Sequence, residues 1–292
     1  MFLEMAKSQM AEAQPSTDNV EEARAYFENV ASMFPLAETV QCEPIQAGTV
    51  RAEWIMAPEA SNRGTILYLH GGGYVVGSLN THREMISRIS RAAATRCLAI
   101  EYRLAPENPF PAAVEDAVAA YRWLLSSGVE PKRIVIAGDS AGGGLTVATL
   151  VALRDAGERL PAAAVCLSPW VDLALSGESM TSKAEVDPFV DKPSIQLMAT
   201  LYLNGKDPHT PLASPLYADV RGLPPMLIQV GTAEVLLDDS TRLAERAQAA
   251  GVDVTLEPSE HMVHVWHYFG TAFPEIAEAV ERIGNFIQRH VP

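Results

Sequence analysis

Short apolar runs alternate along the chain with longer stretches whose apolar residues recur every three or four positions. Thr65 to Leu69 (TILYL), Cys97 to Tyr102, Ile134 to Ala137, Ala162 to Leu167, Pro225 to Val230 and Val252 to Leu256 have the length and composition of buried strands. Val50 to Ala57 suits an earlier, antiparallel strand. Between these runs the period changes. Arg83 to Ala94 is predicted helical, and Val114, Ala117, Val118, Tyr121, Leu124 and Leu125 make one helical face that Gly128 ends. Further helices are predicted after Ala141, from the strand at Val230 to about Ala250, and through Ile276, Val280, Ile283 and Ile287. Strand-helix alternation of this kind predicts the α/β class, with a mostly parallel central sheet flanked by helices.

Two regions break the alternation. Asp172 to Leu223 is charged and proline-rich, with one helix expected near Ser194 to Leu203, and it is far longer than an ordinary crossover. An insertion there, after the C-terminal end of a strand, lies over the crevice where open α/β sheets bind ligands. Met1 to about Ala37 is charged and helix-prone, with Val20, Ala23, Phe27 and Val30 near one stripe. The expected organisation is a cap made of residues 1–45 and 176–219 over a core made of 46–175 and 220–292.

Composition adds limits. The 292 residues are 48% hydrophobic, enough for a sizeable core, and the formal net charge is −14. No basic patch is available for phosphates, so neither nucleic acid nor an anionic membrane is expected as a partner. Cys42, Cys97 and Cys166 are widely spaced and odd in number, which predicts free thiols. No apolar leader or spanning segment is visible, so a cytoplasmic protein without membrane insertion is expected.

Candidate chemistry gathers at strand ends. Arg133 to Gly144 reads RIVIAGDSAGGG, an apolar strand, then Gly138-Asp139-Ser140-Ala141-Gly142, then a helix. A serine on a sharp strand-to-helix turn, flanked by residues without Cβ, has the form of a nucleophile elbow. His70-Gly71-Gly72-Gly73 follows TILYL. Acyl transfer passes through an oxyanion that needs preorganised N–H donors, and the Gly71 and Gly72 amides are assigned to it with that of Ala141. His70 is expected to brace this loop. An acid is sought after Pro225 to Val230, where Glu234, Asp238 and Asp239 stand, and a base after the last strand, where His261, His264 and His267 recur every third residue. Periodicity does not choose among the three histidines, and a metal site of the three is not expected. Asp238 and Asp239 also suit a helix's first turn. His82, His209 and His290 have no chemical context and are expected at the surface.

HGGG at His70 to Gly73, Tyr102-Arg103-Leu104-Ala105-Pro106-Glu107 and Gly138-Asp139-Ser140-Ala141-Gly142-Gly143 together resemble the hormone-sensitive lipase-like esterases, bacterial family IV of the α/β-hydrolase superfamily. The likeness runs from about Thr65 to the C-terminus. It implies an α/β-hydrolase fold with an α-helical cap, no metal, no cofactor, and hydrolysis of short- to medium-chain acyl esters, with a small-molecule ester as substrate. It implies Ser140 as nucleophile. Glu234, Leu236 and Asp238 match the register of the family's acid loop, with Glu234 where Asp is usual, and Asp238 is the alternative acid. The family's histidine precedes an aromatic by two residues, which selects His264 before Trp266. A homodimer is also a family habit, with the last strand and the C-terminal helix as candidate surfaces. Lactone hydrolysis by the same triad and a non-catalytic receptor are the rival functions. Tyr74 is a candidate for the acyl pocket. Met180, Phe189, Met198 and Tyr202 suit either a pocket wall or the cap's own core.

Overall fold

Side chains of the apolar runs divide by strand period between two layers. Leu67 and Leu69 pack with Ile136, Leu145 and Leu150 on one side of the sheet, while Ile66 and Tyr68 pack with Val135, Ile86, Ile283 and Ile287 on the other. The computed structural model describes residues 19–271 and 273–292. Among them β1 (Gln41–Ala47), β2 (Val50–Met56), β3 (Ser61–Leu69), β4 (Thr95–Ile100), β5 (Ile134–Asp139), β6 (Ala163–Leu167), β7 (Met226–Gly231) and β8 (Val254–Ser259) form one eight-stranded sheet in the order β1-β2-β4-β3-β5-β6-β7-β8. The pairs β1–β2 and β2–β4 are antiparallel and every later pair is parallel. β5, β6 and β7 are buried along their whole length, as strands covered on both faces must be. The helices α2 (Leu79–Ala93) and α8 (Pro274–His290) cover one face; α3 (Ala112–Ser126), α4 (Ala141–Asp155) and α7 (Leu237–Ala249) cover the other.

Two elements differ from the sequence expectation. β1 has no apolar signal because it is an edge strand, largely exposed and carrying Pro44. It pairs with β2 from Gln41↔Met56 to Ala47↔Val50, so the sheet begins inside the 1–45 stretch expected to belong to the cap. α2 starts at Leu79 rather than Arg83 because Ser78 and Thr81 form a reciprocal cap: the Thr81 N–H donates to Ser78 Oγ at 3.2 Å and the Ser78 N–H to Thr81 Oγ1 at 2.9 Å.

Above the C-terminal strand ends lie α1 (Val20–Ala31), the short α5 (Ser179–Ser182) and α6 (Lys192–Leu203). Residues 1–18, the start of the expected N-terminal cap, lie outside the described residues. Asn19 caps α1 and Asp191 caps α6. α6 is docked by the Tyr202 ring, stacked at 3.8 Å on Tyr74. α1 is held by Arg24, which donates to the Val75 and Ala105 carbonyls at 2.9 and 3.0 Å and to the Glu107 carboxylate at 2.8 Å. No helix among the described residues is long and apolar enough to cross a membrane.

Candidate active site

β5 ends at Asp139 and α4 begins at Ala141, so Ser140 alone makes the turn between them. Its backbone sits at φ 51°, ψ −121°, a strained conformation for a residue with a Cβ. The strain is held by hydrogen bonds to the end of β6 and beyond: Ser140 N–H donates to the Leu167 carbonyl at 2.8 Å, and the Ser140 carbonyl accepts from Trp170 N–H at 2.9 Å. Close packing of α4 against β3 depends on Gly142, where a Cβ would run into the Leu69 and His70 carbonyls. The Ser140 hydroxyl is left facing a cleft below the roof helices.

His264 arrives from the loop after β8, and its Nε2 lies 2.9 Å from Ser140 Oγ. Its Nδ1–H donates to Glu234 Oε2 at 2.6 Å. Glu234 is fully buried on the loop after β7, and its Oε1 accepts from Ser168 Oγ at 2.8 Å and Gly231 N–H at 2.6 Å. Ser168 in turn accepts the Val265 N–H at 3.2 Å, so one hydroxyl ties the acid to the histidine loop. Burial alone lowers the His264 pKa. The Glu234 charge and hydrogen bond, with the Asp187 and Asp139 charges behind them, outweigh it and raise the pKa above the ordinary value. Ser140, Glu234 and His264 are thus brought into one hydrogen-bonded chain.

The other acids and histidines are placed elsewhere. Asp238 Oδ2 accepts from Ser179 N–H at 2.9 Å, and Asp239 Oδ2 accepts from the Val171 and Asp172 amides at 2.9 Å. His261 is exposed, whereas His267 is buried with Nε2 2.7 Å from Gln229 Oε1 and its pKa pushed down to about 3, chiefly by burial. The three histidines therefore point to three environments. Among the described residues no cluster of His, Cys, Asp or Glu is arranged to hold a metal.

One of the three amides assigned to the oxyanion is engaged internally. Gly71 N–H lies 3.1 Å from Asp139 Oδ1 and 3.2 Å from His82 Nε2, behind the cleft. Gly72 and Gly73 line the cleft instead, Gly73 at φ 60° with the Met198 side chain where its Cβ would be. Contrary to the expectation for Gly71, the first glycine of HGGG is turned inward to bond the residue preceding the nucleophile, so its amide is not presented to the cleft. His70 braces the loop, with Nδ1 2.7 Å from the Gly71 carbonyl and its own carbonyl accepting from Tyr102 Oη at 2.7 Å. His82 is 2% exposed, not a surface residue. His209 is an exposed partner of Asp207 at 2.9 Å.

The cleft encloses about 220 Å³. α1 contributes Ala23, Tyr26, Phe27 and Val30; the insertion contributes Phe189, Val190, Ile195 and Met198; Trp170, Tyr268 and Phe269 come from loops at the sheet's C-terminal edge. Among the described residues no lysine or arginine lines it. Of the cap candidates, Phe189 and Met198 face the cleft, while Met180 and Tyr202 are buried in the core and Tyr74 stacks beneath Tyr202 rather than lining the acyl space. Ser168, Trp170 and Asp187 carry no motif. The first two follow a strand's C-terminal end, the one positional signal that marks them.

Residues 66–268 match the family described by the alpha/beta hydrolase fold. An esterase of the bacterial hormone-sensitive lipase family superposes with a TM-score of 0.95 at 52% identity, covering 100% of this chain and 97% of that one. The chain belongs to the α/β-hydrolase family, in its bacterial hormone-sensitive lipase branch. Among other members, an acetyl-hydrolase of Streptomyces hygroscopicus is 48% identical over 269 residues, 92% of this α/β-hydrolase and 90% of that protein. An esterase of Acinetobacter venetianus is 36% identical over 264 residues, 90% and 87% of the two chains.

Proposed function

We propose that this α/β-hydrolase is a serine carboxylesterase that cleaves small, uncharged, short- to medium-chain acyl esters through an acyl-enzyme. The observation that carries the reading is the unbroken chain from Ser140 Oγ through His264 to the buried Glu234. His264 Nε2 takes the Ser140 proton as Oγ attacks the ester carbonyl, then delivers it to the departing alcohol. Water activated by the same nitrogen releases the acid. Glu234 holds the ring in the tautomer with Nε2 free and stabilises the imidazolium. The Gly72, Gly73 and Ala141 amides receive the oxyanion; Ala141 is the first residue of α4, where an amide has no helical acceptor.

An apolar cleft of about 220 Å³ without a cation supports neutral substrates of modest size. In this reading α1 and the 176–219 insertion form the cap that sets acyl preference. Three free cysteines, two of them buried, support a reducing, cytoplasmic setting. The half-exposed β8 edge is the surface for a homodimer.

The test is hydrolysis of p-nitrophenyl esters from acetate to laurate by wild type and Ser140→Ala. Turnover highest on short chains, and reduced about 10³-fold or more in the variant, is expected. Retained turnover in Ser140→Ala would overturn the mechanism, and wild-type activity confined to lactones would move the substrate class.

A further inference from the structure

Val235 directly follows Glu234 and is fully buried. Both of its backbone polar groups are met by side chains of the long connection between β6 and β7. Its N–H donates to Asp187 Oδ2 at 2.8 Å, and its carbonyl accepts from Ser179 Oγ at 2.6 Å. Ser179 Oγ also accepts the Asp238 N–H at 3.1 Å, in the first turn of α7. The other oxygen of Asp187, Oδ1, accepts from Phe189 N–H at 2.9 Å and Val190 N–H at 3.1 Å. Phe189 and Val190 line the cleft. One carboxylate therefore joins the cleft wall to the peptide unit that leaves Glu234.

We infer that Asp187 and Ser179 are positioning residues for the acid: from the insertion they fix the backbone on either side of Val235, so that Glu234 is aimed at His264. The Val235 N–H belongs to the peptide plane that leaves the Glu234 Cα, and the direction of that plane is tied to the direction of the Glu234 side chain. Ser168 Oγ and Gly231 N–H hold the far end of that side chain at Oε1. Asp187 and Ser179 hold its root. The bond from Glu234 Oε2 to His264 Nδ1 is short, 2.6 Å, and a hydrogen bond weakens steeply as its length and angle depart from the optimum. A buried N–H or carbonyl deprived of its partner is costly, so without Asp187 or Ser179 the Val235 peptides turn to find another and carry Glu234 with them. Electrostatics give this a readout. Burial lowers the His264 pKa; the Glu234 charge and hydrogen bond, then the charge of Asp187 on the insertion and that of Asp139 on β5, raise it above the ordinary value. His267, on the same loop, has its pKa pushed down to about 3, chiefly by burial. Glu234 leads among the raising groups, so a displaced acid lowers the imidazole pKa. Asp187→Asn changes a charge and a bond together, whereas Ser179→Ala changes bonds alone.

The inference rests on the serine esterase reading, and the test separates the two. Kinetics on p-nitrophenyl acetate and butyrate would be measured across pH for wild type, Asp187→Asn and Ser179→Ala. Asn keeps an oxygen for the Phe189 and Val190 amides, which preserves the cleft wall, and then turns an NH₂ group toward the Val235 N–H. Asp187→Asn is expected to lower kcat about 10- to 100-fold and Ser179→Ala about 3- to 30-fold, less than the loss of the acid itself, with KM changed less than about threefold on both esters. The acid limb of kcat/KM should move to lower pH in both variants. A change confined to KM would make the two residues supports of the cleft wall and overturn the proposal, as would an unmoved acid limb in Ser179→Ala. Should Asp187→Asn not fold, Ser179→Ala decides alone. Proton NMR reads the bond without catalysis: the low-field Nδ1–H resonance of His264 is expected in the wild type and shifted upfield or lost in the variants, and an unmoved resonance refutes the proposal. Labelling of Ser140 by diethyl p-nitrophenyl phosphate reports on the serine reading alone; an unlabelled wild type would sink that reading and leave the proton resonance to judge Asp187 and Ser179.

Discussion

The floor and the roof of the cleft are built by different physics. The floor is fixed by backbone. Ser140 is pinned in a strained turn by the Leu167 carbonyl at the end of β6 and the Trp170 N–H just beyond it, Gly142 admits the Leu69 and His70 carbonyls, and Glu234 is closed in by Ser168 and Gly231. Each contact there has one geometry, and a missing partner leaves a buried polar group stranded. The roof is fixed by side-chain packing and by surface charge. α6 leans on the Tyr74–Tyr202 stack, and α1 presents Phe27 and Val30 to the cleft while Arg24 ties it to two carbonyls and a half-exposed Glu107. Packing of that kind tolerates replacement of one apolar residue by another. In the proposed mechanism the floor carries the reaction and the roof the choice of substrate.

The largest effect expected from breaking the floor is at Glu234→Gln. The residue keeps its shape but no longer holds the His264 tautomer, and kcat should fall roughly 10³- to 10⁴-fold. The pH profile sharpens the point. His264 must be neutral to accept the Ser140 proton, and its pKa is raised in the wild type, so kcat/KM falls as pH drops through a midpoint above the ordinary histidine value. Removing the Glu234 charge moves that midpoint downward; an unmoved acid limb would mean that another group controls it. Next is Gly142→Ala, whose Cβ meets the Leu69 and His70 carbonyls. A loss of roughly 2–4 kcal/mol in stability is expected, read by denaturant unfolding, together with loss of activity. The smallest effect belongs to the roof. Arg24→Ala should cost about 1 kcal/mol or less, since its ion pair is partly solvated, and should raise KM a few-fold with kcat nearly unchanged. A collapse of kcat in Arg24→Ala, beside a tolerated Gly142→Ala, would reverse the division between floor and roof.

Much of the floor is legible in the sequence, because it is written in residues whose local roles are special. Gly138 and Gly142 around Ser140, three glycines after TILYL, and short apolar runs that end at each functional loop are all short-range signals. The acid and the base were narrowed by position to the loops after β7 and β8, and only a family resemblance chose Glu234 and His264 within them. Side-chain partners were less accessible. β1 is polar because its strand is an edge, so no hydrophobic pattern announced it. His82 lies on a helix face that shows no chemistry in one dimension, yet it is buried against Asp139, 57 residues away.

The sequence by itself determined the α/β class, the strand-to-helix turn that carries the proposed nucleophile and the glycine loop proposed for the oxyanion, since these depend on local periodicity and on where a Cβ is missing. Only the tertiary structure decided that the Gly71 amide is engaged behind the cleft, that Asp238 and Asp239 are bonded elsewhere, and that Ser168 joins Glu234 to the histidine loop. Those outcomes depend on the direction of single N–H and O–H groups from segments that meet at the C-terminal edge of the sheet. The crossovers bring such segments together from distant parts of the chain, and no local pattern encodes the angle at which they meet.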